Sequence, residues 1–158
     1  MFKKRSSLLL VALLLLGLAS SYAQEANNAI PRSGSTTPEG WYDDYDVAMK
    51  AAETQNRNVY ALFTGSDWCG WCIKLKAEVL EKKEFKDYAK DKLILLYIDL
   101  PRKVQLSDEM QAKNRALLQK YGVSGFPTTL LLDAKGKELQ KINSFADNLY
   151  DQLDKAIK

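Results

Sequence analysis

Hydrophobic positions along this chain change period from segment to segment, and each period predicts an element. Tyr45, Ala48, Met49 and Ala52 recur at three- and four-residue spacing, which predicts an amphipathic helix over about 43–56, with Asn56 to Asn58 as its end. Val59 to Thr64 is a short apolar run of strand type. After it, Cys72, Leu75 and Val79 form one helical stripe and Ile73, Ala77 and Leu80 another, predicting a helix to about Lys82 that is covered on two sides. Leu93 to Ile98 is apolar without alternation, the pattern of a strand buried on both faces. Asp99 to Asp108 reads as a loop opened by Pro101, with Arg102 and Lys103 as solvated charges. Glu109 to Tyr121 is helical in pattern and Gly122 is its stop. Thr128 to Leu132 and Glu138 to Ile142 flank Asp133-Ala134-Lys135-Gly136, a hairpin turn. Ala146 to Ile157, with Leu149, Leu153 and Ile157 four apart, closes the chain as an amphipathic helix. The predicted order is α-β-α-β-α-β-β-α, an α/β domain.

The first forty residues do not join this pattern. Lys3, Lys4 and Arg5 precede a nearly unbroken apolar run from Leu8 to Ala19, and Ser21-Tyr22-Ala23 supplies small residues at the positions a signal peptidase reads. Residues 1–23 are therefore expected to be a cleaved secretory signal, placing the mature protein in the periplasm or outside the cell. The run is too short for a confident membrane span, which needs about 20 apolar residues, so no membrane insertion of the mature chain is expected. Residues 24–40 carry few large apolar side chains and read as a flexible tail, leaving 41–158 as one domain. The leader also explains the charge: its three basic residues account for the whole excess of 23 Lys plus Arg over 20 Asp plus Glu. A formally neutral mature chain with interleaved charges gives no support to nucleic-acid binding.

Cys69 and Cys72, in Trp68-Cys69-Gly70-Trp71-Cys72, are the only cysteines. Following a strand and opening a helix, they fall where unpaired amide N–H groups and the helix dipole favour a thiolate. Cys-X-X-Cys thiols in such positions titrate at roughly 3.5–7.5, against about 8.5 for a free thiol. Cys69 is the expected nucleophile and Cys72, three residues on, is placed to attack a mixed disulfide formed at Cys69. A purely structural disulfide closing two residues would constrain the unfolded chain little. Zinc usually takes four ligands, and the chain has no His and no third Cys, so no metal is expected.

The element order, with Cys-X-X-Cys after the first strand and Gly125-Phe126-Pro127-Thr128 before the third, resembles the thioredoxin family over about 41–158. The resemblance implies a thioredoxin-like fold, a central mixed β-sheet flanked by helices, with a cis Phe126–Pro127 bond beside the cysteines. It implies a substrate-binding set of Trp68, Gly70, Trp71, Phe126 and Pro127, and a redox-active disulfide that requires no other cofactor. The expected partners are disulfide-bearing client proteins and a protein electron donor.

This chain departs from the family in three positions. Trp71 replaces the proline or histidine of the better-known members, and a neutral indole adds no positive charge to a thiolate, which favours a reducing role. The family's buried aspartate and its neighbouring lysine fall on Phe63 and Leu95. Cys72 must still lose a proton, for which Asp67 is a possible acceptor, although Asp67 reads equally as an exposed loop carboxylate. The expectation is an exported thiol-disulfide oxidoreductase that reduces protein disulfides. The alternatives are an isomerase or oxidase, or a non-catalytic binding module docking partners on Trp68, Trp71 and Phe126.

Overall fold

The computed structural model describes residues 36–157, so the expected leader and the tail up to residue 35 lie outside the described residues. The first helix, α1 (Tyr45–Gln55), starts where the Asp44 carboxylate accepts the N–H groups of Asp46 and Val47, and stops at Asn56 in the left-handed region (φ 50°). Strand β1 (Asn58–Thr64) leads into α2 (Gly70–Leu75), whose N-cap is Cys69. Next come α3 (Lys83–Lys92), β2 (Leu93–Asp99) and α4 (Asp108–Lys120). Strands β3 (Thr128–Leu132) and β4 (Glu138–Ile142) form the hairpin, and α5 (Leu149–Ala156) ends the fold.

The four strands make one mixed sheet in the order β2-β1-β3-β4, with β1 parallel to β2 and antiparallel to β3. β1 is buried on both faces, and its alternation divides the core in two. Tyr60 and Leu62 point to one side, joining Leu75, Phe85, Leu149 and Leu153 of α2, α3 and α5. Val59, Ala61 and Phe63 point to the other, against Ala48, Ala51 and Ala52 of α1 and Leu117 of α4. Small alanines let α1 lie close to the sheet. The strand expected to be buried on both faces is so, although it is an edge; Tyr42 bridges to Leu96 along it, with Tyr42 N–H donating to Leu95 O at 2.8 Å and Tyr97 N–H to Tyr42 O at 2.8 Å.

Two predicted elements differ. The helix expected to run to Lys82 is α-helical only to Leu75 and continues as a π turn over Lys76–Leu80, closed by Glu81 N–H to Lys76 O. The extra residue in that turn brings Leu80 into the core, whereas Ile73, on the predicted second stripe, is 50% exposed. One face is covered, not two. A separate helix, α3, then follows where the pattern showed none, because only Phe85 and Ala89, four residues apart, are buried in an otherwise charged segment. The closing helix begins at Leu149, since Ala146 to Asn148 form a turn that delivers the chain to it.

Candidate active site

The two cysteines lie at the carboxyl end of β1, where the chain leaves the sheet and turns into α2. Their sulfurs are joined as a disulfide with Cα atoms 5.2 Å apart. Cys69 has extended backbone and caps the helix: its Sγ accepts the N–H of Cys72 at 3.2 Å, and its carbonyl accepts the N–H of Ile73 at 3.0 Å. The Cys72 amide belongs to the first turn of the helix and has no earlier helical carbonyl to bond, so it is free to face a sulfur. Both cysteines are buried as residues.

Trp68 and Trp71 flank Cys69 in the sequence. Trp68 meets Phe126 edge to face at 5.9 Å, and the Phe126–Pro127 peptide is cis. Trp71 is 63% exposed and meets Phe145 edge to face at 5.9 Å, with the Lys74 ammonium 5.2 Å from its ring. A Cβ on Gly70 would meet nothing within 4 Å. Phe145 was not singled out from sequence. Its neighbour Ser144 belongs to a buried hydroxyl chain, in which Tyr60 Oη and Ser144 Oγ are 2.6 Å apart and Ser144 Oγ donates to Thr129 Oγ1 at 3.0 Å. Burial pushes the Tyr60 hydroxyl up to about 12, so the chain stays neutral across the physiological range.

Trp68 is fixed from beneath. Its Nε1–H donates to Leu100 O at 2.8 Å, and its ring covers Gly65 so closely that a Cβ there would lie 2.4 Å from Cε2 and 2.6 Å from Cζ2 and Nε1. A bicyclic ring yields only by moving as a unit. Gly65→Ala is therefore expected to displace the indole and lower stability by about 1–3 kcal/mol. Urea unfolding followed by tryptophan emission measures both effects, and a variant with wild-type midpoint and native spectrum would refute the packing argument.

The loop after β2 supplies the other half of the site, which periodicity read only as a solvated connection. The Asp67 carboxylate accepts the backbone N–H groups of Arg102 (2.9 and 3.2 Å), Lys103 (2.6 Å) and Val104 (3.1 Å). Chiefly the Arg102 N–H, against slight desolvation and aided by the other two, holds the Asp67 carboxyl below the usual carboxylate range. Asp99, at the end of β2, is 3% exposed and faces the same side of the sheet as Tyr97 and α2. Its carboxylate accepts Ser66 N–H at 2.9 Å and Ser66 Oγ–H at 2.5 Å, and also the Thr36 hydroxyl. Asn114 Nδ2 holds the Asp99 carbonyl at 2.8 Å. Burial, then the Asp99 charge, raises the neighbouring Tyr97 hydroxyl above its ordinary value. The family's buried-aspartate position is Phe63, fully buried and edge to face with Tyr121 at 6.0 Å, and Leu95 stands opposite Tyr60.

A mixed sheet of this order, with a disulfide capping the helix after its central strand and a cis proline opening the antiparallel one, defines a thioredoxin-type fold. The thioredoxin-like domain profile matches residues 45–157, and the chain belongs to that family. It is 36% identical over 101 residues to the disulfide bond reductase DsbH of Chlamydia pneumoniae, covering 64% of this chain and 61% of that protein. It is 29% identical over 117 residues to the thioredoxin-related protein DsbJ of the same organism, covering 72% of this chain and 34% of that one. The alignments thus span about three fifths and one third of these relatives' lengths. A solved DsbH oxidoreductase structure superposes with a TM-score of 0.67 at 30% identity, covering 78% of this chain and 90% of that one. Among the described residues no group of three or more His, Cys, Asp or Glu is placed to hold a metal, and no helix is long and apolar enough to cross a membrane.

Proposed function

We propose that this protein is an exported thiol-disulfide oxidoreductase that reduces disulfides in client proteins. The observation that carries this reading is the Cys72 N–H directed at Cys69 Sγ at a helix start, a contact that favours a thiolate at Cys69 once the disulfide is open. The Cys69 thiolate attacks one sulfur of a client disulfide, forming a Cys69–client disulfide and expelling the client's other sulfur as a thiolate, which takes a proton. Cys72 then loses its proton and attacks Cys69 Sγ. The second client sulfur leaves, and the Cys69–Cys72 disulfide closes. Two electrons and two protons pass to the client, and a dithiol partner protein returns them.

Trp68, Gly70, Trp71, Phe126 and Pro127 are proposed to receive the client chain, with the Phe126 backbone pairing beside the disulfide. The exposure of Trp71 supports its place in this surface. Asp67, saturated by backbone donors and held below its ordinary range, is a poor acceptor for the Cys72 proton, which favours water in that role. The neutral indole of Trp71 supports the reducing direction, as does the name of the DsbH relative. The leader pattern Lys3–Arg5, Leu8–Ala19 and Ser21-Tyr22-Ala23 supports export, with residues 1–23 removed. The hydrogen bond from Thr36 to Asp99 argues for a domain that begins ahead of Trp41.

Equilibration with a glutathione series tests the direction. The Cys69–Cys72 couple is expected nearer the roughly −270 mV of a thioredoxin than the roughly −120 mV of a strong oxidant. A value at the oxidising end would reverse the proposed direction.

A further inference from the structure

We propose that Arg102 is a specificity-determining residue, selecting clients that carry an acidic side chain beside the disulfide; this rests on the reductase reading above. The Arg102 guanidinium carbon lies 3.9 Å from the centroid of the Trp68 ring, and Trp68 directly precedes Cys69 in sequence. Both members of this stack are fixed by contacts within the site. Trp68 is pinned by Leu100 O, and the Arg102 backbone is pinned by Asp67. A guanidinium already held against a ring loses less freedom on binding an anion than a free one, and its N–H donors match the two oxygens of a carboxylate.

The charge balance points the same way. Among the described residues no carboxylate lies within ion-pair distance of the Arg102 guanidinium, whereas seven other pairs form, all with lysines. Asp67 is nearby, yet its oxygens are taken by backbone N–H groups, and Lys103 is exposed next to Arg102. The cation at Trp71 differs: Lys74 is 3.8 Å from Glu78 and so is already paired. A client with an aspartate or glutamate beside Trp68 meets an unpaired guanidinium; one with lysine there meets repulsion.

Two disulfide peptides differing only in Glu or Gln beside the reactive cysteine test this, with kcat/KM measured on the mature protein and recycling by a small dithiol. The Glu peptide is expected to react about fivefold faster at low ionic strength, with the ratio shrinking as salt is added. Arg102→Gln is expected to bring the ratio to about one and Arg102→Glu to invert it in favour of a Lys peptide, while Lys103→Gln keeps more than half of it. An unchanged ratio in Arg102→Gln, or equal losses in Arg102→Gln and Lys103→Gln, would overturn the assignment. Equal reduction of both peptides by the wild type refutes the selectivity and leaves the reductase reading standing. If the wild type opens neither peptide nor a small neutral disulfide, the reductase reading and the assignment built on it fail together.

Discussion

Serine at Cys72 is expected to arrest the reaction halfway, with a client held on Cys69 through a disulfide that nothing in the site can open. Cys69 keeps what activates it, because the donor at 3.2 Å from its Sγ is the backbone N–H of residue 72, which serine also has. A hydroxyl does not displace a sulfur, so the second step stops. Cys72→Ser should accumulate a covalent adduct visible by non-reducing electrophoresis and intact mass, with multiple-turnover reduction falling to background. Cys69→Ser should show neither turnover nor adduct. Folding should persist in both, since a bridge over two intervening residues adds little to stability. Adduct on Cys69→Ser in place of Cys72→Ser would exchange the two roles. Full biological activity of a double alanine variant would favour the binding-module alternative.

Local chemistry wrote much of this fold into the sequence. Asn56, Gly122 and Gly136 mark turns because each takes a positive φ, and Gly136 N–H closes the hairpin on Asp133 O at 3.0 Å. Strands β3 and β4 match their predicted limits, since β-branched and aliphatic runs bounded by a turn leave little choice. What escaped depends on contacts between distant segments. A single π turn shifts the face of the helix after Cys72, and no periodicity of side chains announces it. Arg102 and Lys103 are exposed, as read, yet their backbone is tied to Asp67, thirty-odd positions earlier. The site followed the same division. The cysteines and the proline came from motif and resemblance, whereas Ser66 and Asp99 meet only because the sheet brings the ends of β1 and β2 side by side, and Phe145 enters through its contact with Trp71 from beyond β4.

Asp99 offers the clearest measure of that long-range tie, and its removal is expected to have the largest effect on stability among the changes considered. Asp99→Ala leaves Ser66 N–H without its acceptor, and the Ser66 and Thr36 hydroxyls lose theirs as well. Orphaned donors at a buried carboxylate cost about 2–3 kcal/mol, and a cavity adds to that. Asp99→Asn keeps the size and one acceptor oxygen, so it should recover more than half of the loss. The consequence for catalysis follows from connectivity: Ser66 lies between Gly65, whose carbonyl accepts Cys69 N–H at 2.9 Å, and Trp68, which that same carbonyl holds at 3.3 Å. Once Ser66 is released, both the cap and the tryptophan shoulder lose their anchor to β2. Urea unfolding of the reduced proteins should give the order wild type, Asn, Ala, and the rate of client reduction should fall in the same order, to about a tenth in the alanine variant, equivalent to ~1.4 kcal/mol in the barrier. If Asp99→Ala loses stability while reducing clients at the wild-type rate in its folded fraction, the carboxylate holds the fold but not the site. A wild-type midpoint in urea would instead remove it from both.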